Sequence, residues 1–383
     1  MPSPSSTDIL VRGTGAVGLA TALALASQGL RVALLGSLAE PAVPDVRAYA
    51  LNAASVALLT SLKVWDAIPQ LARTAVHEMH IQGDQAGAVL DFSAWQQSLS
   101  ELAWIVDAAE LERALRAAVR FAPHVKAVDA EVPAALQVLA EGKDSATRER
   151  LGVRMPRHAY GHRGIAARLL SPQAHAGLAR QWFRSPDVLA LLPLDLPLFE
   201  GPTGPVPGHG LGLVWSVPDA RADELMALSD TDFQTALADA TGGAAGPLTL
   251  ASARAQWPLA LAHADALHGP GWVLVGDAAH VVHPLAGQGL NLGFADVAAL
   301  AAVLGAKEDW RPLGDPRLLA RYARQRHAPV RAMAQVTDGL LHLFASPQPI
   351  VKSLRNRGLS LVNQLAPVKR WLTQGALGHP NRI

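Results

Sequence analysis

A strand, a glycine turn, a helix and a second strand follow one another without interruption near the start of the chain. This run restricts the fold more than any other feature. Ile9 to Arg12 is a short apolar run that leads into Gly13-Thr14-Gly15-Ala16-Val17-Gly18, the pattern G-x-G-x-x-G. An Ala- and Leu-rich helix continues to about Gln28, and Arg31 to Leu35 reads as the second strand. That order is the context the dinucleotide fingerprint requires, and it implies an open parallel sheet. Glycines at these positions let the backbone approach a pyrophosphate, whose charge the positive end of the helix stabilises. The acidic residue that normally closes the second strand and binds a ribose hydroxyl is missing. Its position is Gly36, and the nearby carboxylate is Glu40, four residues on.

A second stretch of the same kind runs from Gly271 to Leu304. Trp272 to Val275 has the length and composition of a buried strand. Gly276-Asp277 ends it and sets a carboxylate at its C-terminal tip, where ligands bind in open α/β sheets. A loop with His280, His283 and Pro284 leads to the turn Ala286-Gly287-Gln288-Gly289. From Leu290 the apolar residues Leu292, Ala295, Ala299, Ala302 and Val303 fall at helical spacing, so the glycines sit at a helix N-terminus. Free backbone N–H groups and the positive dipole end there favour an anionic or electron-rich ligand edge.

The form GDAAHxxHPxAGQGxNLG resembles the FAD-dependent aromatic-ring hydroxylases of the p-hydroxybenzoate hydroxylase class, and most closely their ubiquinone-biosynthesis branch. The resemblance implies that Gly13, Gly15, Ala16, Val17 and Gly18 receive the FAD pyrophosphate. It gives Gly276 and Asp277 the ribityl chain and sets Pro284 beside the flavin ring. Gly287, Gln288, Gly289, Leu290 and Asn291 would present backbone N–H groups to the pyrimidine edge. The segment from Arg47 to Trp65 is similar to the family's R-x-x-A-L…L…G-x-W pattern, which gives Arg47 a pyrophosphate contact. A surface arginine before an amphipathic helix is the alternative there. Ile105-Val106-Asp107 and a helix from Ala109 to Arg120 match a family helix that touches FAD, with Ala108-Ala109 where the family has a polar pair. Ala140 to Arg148 resembles the family motif A-D-G-x-x-S-x-x-R, with Glu141 replacing aspartate. That motif is linked to flavin and nicotinamide binding; a solvated turn at a helix start is the alternative. The chain between Pro123 and Leu139 is shorter than the family's, and the resemblance covers about residues 8 to 378. Two other readings of the Gly271–Leu304 stretch stand beside it. Glycine-rich strand-to-helix turns occur without a flavin, and Asp277, His280 and His283 have a feasible metal-ligand spacing.

From Ala159 to Val217 the pattern changes to short alternating runs separated by Pro- and Gly-rich turns, the signature of an antiparallel sheet. Gly208-His209-Gly210-Leu211-Gly212 precedes a strand and reads as a hairpin connection. Asp230 to Thr241 reads as a helix, and Asp315 to Arg331 as an Arg-studded helix with a solvated face. The expected fold is α/β: a Rossmann-type FAD-binding lobe, an inserted antiparallel β-sheet substrate lobe and C-terminal helices. Residues 6–151 and 269–306 form the first lobe, 152–268 the second and 307–383 the helical region. A parallel sheet joining residues 8–12, 31–35 and 272–275 is the test of this architecture.

The chain contains no cysteine, which excludes disulfides, thiolate metal sites, iron–sulfur clusters and a cysteinyl-flavin bond. FAD is therefore expected to be held noncovalently, unless a histidine links it. A formal charge of +1 argues against a nucleic-acid partner. The N-terminus lacks a basic region followed by an apolar core, and Gly13 to Leu30 reads as a nucleotide-binding helix, so a cytoplasmic protein is expected. The implied activity is hydroxylation of an aromatic ring, on a prenylated quinone precursor and with O2. The flavin carries the oxygen chemistry, so no catalytic residue is nominated; His283 is the nearest titratable side chain. NAD(P)H would serve as a transient electron donor, or another reductase would take its place. A non-catalytic flavoprotein-like subunit of a quinone-biosynthesis assembly is the alternative, motivated by Gly36, Ala108-Ala109 and Glu141. Homo-oligomerisation stays open. The tail from Pro349 to Gly378 is apolar at helical spacing with Lys352, Arg355, Arg357, Lys369 and Arg370 beside it. A basic amphipathic helix reads as a peripheral contact at the inner membrane or with a biosynthetic complex, and packing on the first lobe is the alternative.

Overall fold

Thr7–Arg12 pairs in parallel with Val32–Leu35 on one side and with Ala134–Leu139 on the other. Trp272–Leu274 continues the sheet in parallel beyond Ala134–Leu139, and Val125–Val128 lies parallel beyond Val32–Leu35. His268–Gly269 closes one edge antiparallel, giving six strands. The expected joining of residues 8–12, 31–35 and 272–275 in one sheet therefore holds, with Ala134–Leu139 inserted between the first and the last. This computed structural model describes residues 7–43, 45–84, 87–195, 207–282 and 288–345.

Ile9, Leu10, Val11, Val138, Val273 and Leu274 are fully buried. Near-continuous apolar strands of this kind are covered on both faces. Helix α1 (Ala16–Ala26) packs on this sheet and α3 (Ala108–Phe121) against α1, while α2 (Ala53–Ser61) and α4 (Ala146–Arg150) complete the helices of the first part of the chain. Glycine makes close packing possible. A Cβ on Gly18 would stand 2.1 Å from the Gly13 carbonyl oxygen, so α1 begins hard against its own turn.

Arg157–Leu170, Leu178–Arg184, Asp187–Pro193, Gly210–Pro218 and Ala255–His263 build a second, nine-stranded sheet, largely antiparallel. Gly208–Gly212 does lead into a strand. Two further strands, Glu78–Gln82 and Val89–Ser93, come from the segment before residue 151, and Glu78–Gln82 pairs in parallel with Leu178–Arg184. Helices α5 (Asp219–Ala227) and α6 (Asp230–Thr241) cover this sheet, and Trp182, Trp215, Phe233 and Leu237 fill the core between them. A small three-stranded sheet of Ala48–Leu51, Arg73–Val76 and Ala103–Asp107 stands between the two.

The chain returns to the first lobe through α7 (Gln288–Gly305) and α8 (Pro316–Ala345). Among the described residues α7 is the one helix long and apolar enough to cross a membrane, and half of it is buried inside the protein. Helix α8 runs past the expected end at Arg331. It buries Leu318, Leu319 and Tyr322 completely against the first core, and the Tyr322 hydroxyl donates to the Leu274 carbonyl at 2.8 Å. The basic tail from Pro349 to Gly378 lies outside the described residues.

Candidate functional site

The register of the parallel sheet brings the sequence motifs to one edge. Arg12 stands level with Leu35 and with Leu139, and Leu139 with Leu274. The residues that follow, Gly13, Gly36, Glu141 and Asp277, therefore share the C-terminal edge, where open α/β sheets take ligands.

The glycine turn divides into positions needed for packing and one that faces open space. Gly13 has φ +106°, and a Cβ there would stand 2.3 Å from the Ala140 carbonyl oxygen. Gly15 is the N-cap of α1, at φ −75° and ψ 175°, with no side-chain cap. A Cβ on Gly15 would meet nothing within 4 Å. The first N–H groups of a helix have no intrahelical acceptor, so this open face carries unsatisfied donors at a positive dipole end. Gly36 has φ +139°, and a Cβ would come within 2.9 Å of Thr14 Cγ2. The missing carboxylate at the end of the second strand thus has a steric cause. Glu40 lies 3.4 Å from Arg113 Nε on an exposed face.

Asp277 follows Gly276, whose φ of +61° turns the chain sharply off the strand. Its carboxylate keeps access to solvent, yet the surrounding protein raises its pKa by desolvation, against the pull of His280, Arg47 and Lys143. Arg47 is paired with Asp45 through Nη2–Oδ2 at 2.6 Å and Nε–Oδ1 at 3.0 Å, and lies 5.4 Å from the Tyr49 ring centroid. Its side chain retains 43% exposure, so the guanidinium still has an open face. Arg47 lies close enough to Asp277 to pull on its carboxyl, so the two charges lie near one another beyond the C-terminal edge of the first sheet, the recess of the candidate cofactor site.

Glu141 accepts from Ser145 Oγ, from Thr147 Oγ1 at 2.8 Å and from the Thr147 N–H at 3.3 Å. The longer side chain is accommodated by folding back onto its own loop. The alternative of a solvated turn does not hold, because Ser145 is fully buried and Arg148 is 2% exposed. Arg148 donates to the Ala278 carbonyl and to the Lys143 carbonyl, each at 3.1 Å. This ties the Glu141 loop to the residue after Asp277.

The start of α7 is held by Asn291. Its Oδ1 accepts from the Asn52 N–H at 3.0 Å and from Ser55 Oγ at 2.7 Å, and its Nδ2 donates to the Ala50 carbonyl at 2.8 Å. These bonds fix the N-terminal part of α7, with Gln288, Gly289, Leu290 and Asn291, against the segment from Ala50 to Ser55. A Cβ on Gly289 would again meet nothing within 4 Å. Val17 packs between Gly276 and Gly293, where an added Cβ would stand 3.1 Å and 2.6 Å from its methyl groups. Val17 thus joins the two glycine-rich stretches, while Ala16 and Gly18 are buried in the packing of α1. His283, Pro284 and Gly287 lie outside the described residues.

Sequence reasoning missed two buried ion networks. Asp107 caps α3 by accepting from the Glu110 N–H at 2.9 Å and pairs with Arg168 Nη2 at 2.8 Å. Arg168 also donates to the Arg47 carbonyl, joining the second sheet to the recess. Burial raises the Asp107 pKa and lowers that of Arg168, against their mutual attraction. The only signal in the sequence was an aspartate before a helix. Ala108, where the family has a polar residue, is completely buried beside this pair. The second network centres on Asp296, completely buried and 2.7 Å from His280 Nε2. His280 thereby pairs with Asp296 inside the protein, and the metal trio of Asp277, His280 and His283 includes a residue, His283, outside the described ones.

The open face at Gly15, the anchored start of α7 and the Asp277 recess suit a long ligand with a diphosphate at one end and a polar ring at the other. FAD meets that description. The FAD binding domain family matches residues 6–130 and 123–337. The 3-demethoxyubiquinol 3-hydroxylase of Escherichia coli (strain K12) is 31% identical over 403 residues, covering 97% of this chain and 98% of that protein. The mitochondrial ubiquinone biosynthesis monooxygenase COQ6 of Drosophila melanogaster is 30% identical, covering 97% and 90%. The fold matches that of Pseudomonas aeruginosa PqsL in complex with 2-aminobenzoylacetate, with TM-score 0.74 and 21% identity over 93% of this chain and 99% of that one. The described site and these similarities lead to one family: the chain belongs to the FAD-dependent aromatic hydroxylases, in the branch of ubiquinone biosynthesis.

Proposed function

We propose that the chain hydroxylates the aromatic ring of a prenylated quinone precursor, using noncovalent FAD and O2. The observation that carries this reading is the convergence of Gly15, Asp277 and the first turn of α7 at one edge of one sheet. FAD, when bound, supplies the activation of oxygen. The α1 N-terminus and Arg47 neutralise the diphosphate, and Asp277 accepts a hydrogen bond from the ribityl chain. The positive dipole end of α7 would stabilise negative charge at the pyrimidine edge. Pro284, outside the described residues, is assigned beside the flavin ring by the family resemblance alone. Residues 6–151, apart from the strands Glu78–Gln82 and Val89–Ser93, and 269–306 would carry the cofactor, and 152–268 with those two strands would face the ring and exclude water from it.

NAD(P)H, binding transiently, is the electron donor of this reading. A prenylated substrate lives in the bilayer, so the protein meets it at the membrane surface as a peripheral cytoplasmic protein, with the basic tail as the contact. The experiment is to purify the FAD-loaded protein and supply labelled dioxygen, an electron donor and a prenylated phenol. One labelled oxygen atom on the ring is expected. FAD-loaded protein that oxidises donor and never labels the ring would overturn the hydroxylase assignment. Co-sedimentation with anionic vesicles, comparing the chain with one ending at Ala345, tests the contact. Equal sedimentation of the two would remove the tail from it.

A further inference from the structure

The Asp296 carboxylate gathers donors from three separate segments. It accepts from the Gly276 N–H at 2.9 Å and from His280 Nε2 at 2.7 Å through Oδ2, and from Arg326 Nε at 2.6 Å through Oδ1. Arg326 also donates to the Leu292 carbonyl at 3.3 Å, one turn before Asp296 on α7. Nothing about this cluster faces solvent: Asp296 is 0%, His280 2% and Arg326 7% exposed. A carboxylate with no water survives as an ion only with such partners, and His280 and Arg326 hold its pKa below the usual range despite the burial.

The location matters more than the charge. Trp272–Leu274 ends two residues before Gly276, and Gly276 sits at φ +61°, outside any ladder. Its N–H therefore has no strand partner to orient it, and Asp296 supplies the acceptor. The next residue in the chain is Asp277. The orientation of the Asp277 side chain over the recess follows from the Gly276 peptide, and the Gly276 peptide is held by Asp296. We propose that Asp296, clamped by His280 and Arg326, is the positioning residue of the cofactor site, acting on FAD through Asp277. It makes α8 a functional part of that site although α8 carries none of its contacting residues.

This inference rests on the reading of the recess as the FAD site. Failure of that reading would be seen first, as unaltered protein that does not bind FAD. The test is a thermodynamic cycle on FAD affinity, measured by titrating apoprotein and following flavin fluorescence. Asp296→Asn keeps the shape of the side chain and removes its charge, and it should weaken FAD binding at least tenfold and alter the visible circular dichroism of the bound flavin. In an Asp277→Ala background the same substitution should cost less than about twofold, because the side chain it positions has gone. Equal losses in both backgrounds would show that Asp296 only stabilises the fold and would overturn the proposal. If Asp296→Asn yields no folded protein, His280→Gln and Arg326→Lys each loosen one arm and carry the same cycle. Losses independent of Asp277 in those variants overturn it equally.

Discussion

Gly15 and Gly18 lie three residues apart in one turn, and the structure assigns them opposite roles. Gly15→Ala meets nothing within 4 Å and keeps a backbone, φ −75° and ψ 175°, that alanine adopts freely. Two stability terms then oppose each other. Restricting the unfolded chain stabilises by about 0.4–1 kcal/mol. Replacing glycine by alanine at an N-cap destabilises by roughly 0.5–1 kcal/mol. The net change is about zero, so the melting temperature of the apoprotein should move by no more than about 2 °C. The new methyl nevertheless occupies the face from which a diphosphate approaches the α1 N–H groups. Loss of one charge-assisted hydrogen bond costs about 1.5–3 kcal/mol, roughly a tenfold to hundredfold weaker FAD affinity. Gly18→Ala behaves in the reverse way. Its Cβ would stand 2.1 Å from the Gly13 carbonyl oxygen, a distance that forces the turn and α1 apart. A loss of about 1–3 kcal/mol, the range for overpacking, is expected. Paired thermal melts and FAD titrations on the two variants decide the matter. A Gly15→Ala protein with unchanged FAD affinity would show that the diphosphate does not lie on this face. One that melts as early as Gly18→Ala would show that the position serves packing.

Asp277→Asn should raise apoprotein stability while weakening FAD binding roughly fivefold, from the difference of about 1 kcal/mol between a charged and a neutral acceptor. The carboxyl pKa is raised in the folded protein, so the stability it confers is full below the ordinary carboxylate value and lost as pH rises through the raised one. The gain in melting temperature should thus appear at neutral pH and vanish in acid; a variant less stable at neutral pH would contradict it. Asp107→Ala strands the Arg168 guanidinium at 1% exposure and should cost about 3–5 kcal/mol in urea unfolding, with Asp107→Leu/Arg168→Leu recovering part of it. Asn291→Leu leaves the Asn52 N–H, Ser55 Oγ and Ala50 carbonyl without their partner, and should lower stability by about 3 kcal/mol and FAD affinity together. If the affinity stays unchanged, the start of α7 does not contact the cofactor.

The parts of this molecule written in local pattern were readable in the sequence. The strand, glycine turn and helix from Ile9 to Leu35 needed no distant partner to be recognised, and neither did the carboxylate at the tip of Trp272–Leu274. Glu78–Gln82 does alternate polar and apolar residues, but nothing local announces its parallel partner, Leu178–Arg184, about a hundred residues further on. Arg326 escaped for a different reason. It sits in a helix studded with arginines that look solvated, and its partner Asp296 is thirty residues away on another helix. Gly36 and Ala108 read as erosion of the cofactor site. The structure gives each a packing cause instead, in the positive φ beside Thr14 and in the buried pair of Asp107 with Arg168.

The central place of Ala134–Leu139, between Thr7–Arg12 and Trp272–Leu274, bears on how the chain is made. Until the ribosome has delivered residue 274, Ala134–Leu139 is an edge strand, rich in apolar residues and open to pairing with other chains. Asn291 then has to find Ala50, 241 residues back, and Arg326 must arrive before Asp296 is neutralised. Contacts of such range form late and slowly. FAD therefore has no complete site to enter during synthesis. That edge stays open to pairing until Trp272–Leu274 docks on it, and shortage of FAD leaves the finished apoprotein with its cofactor site empty.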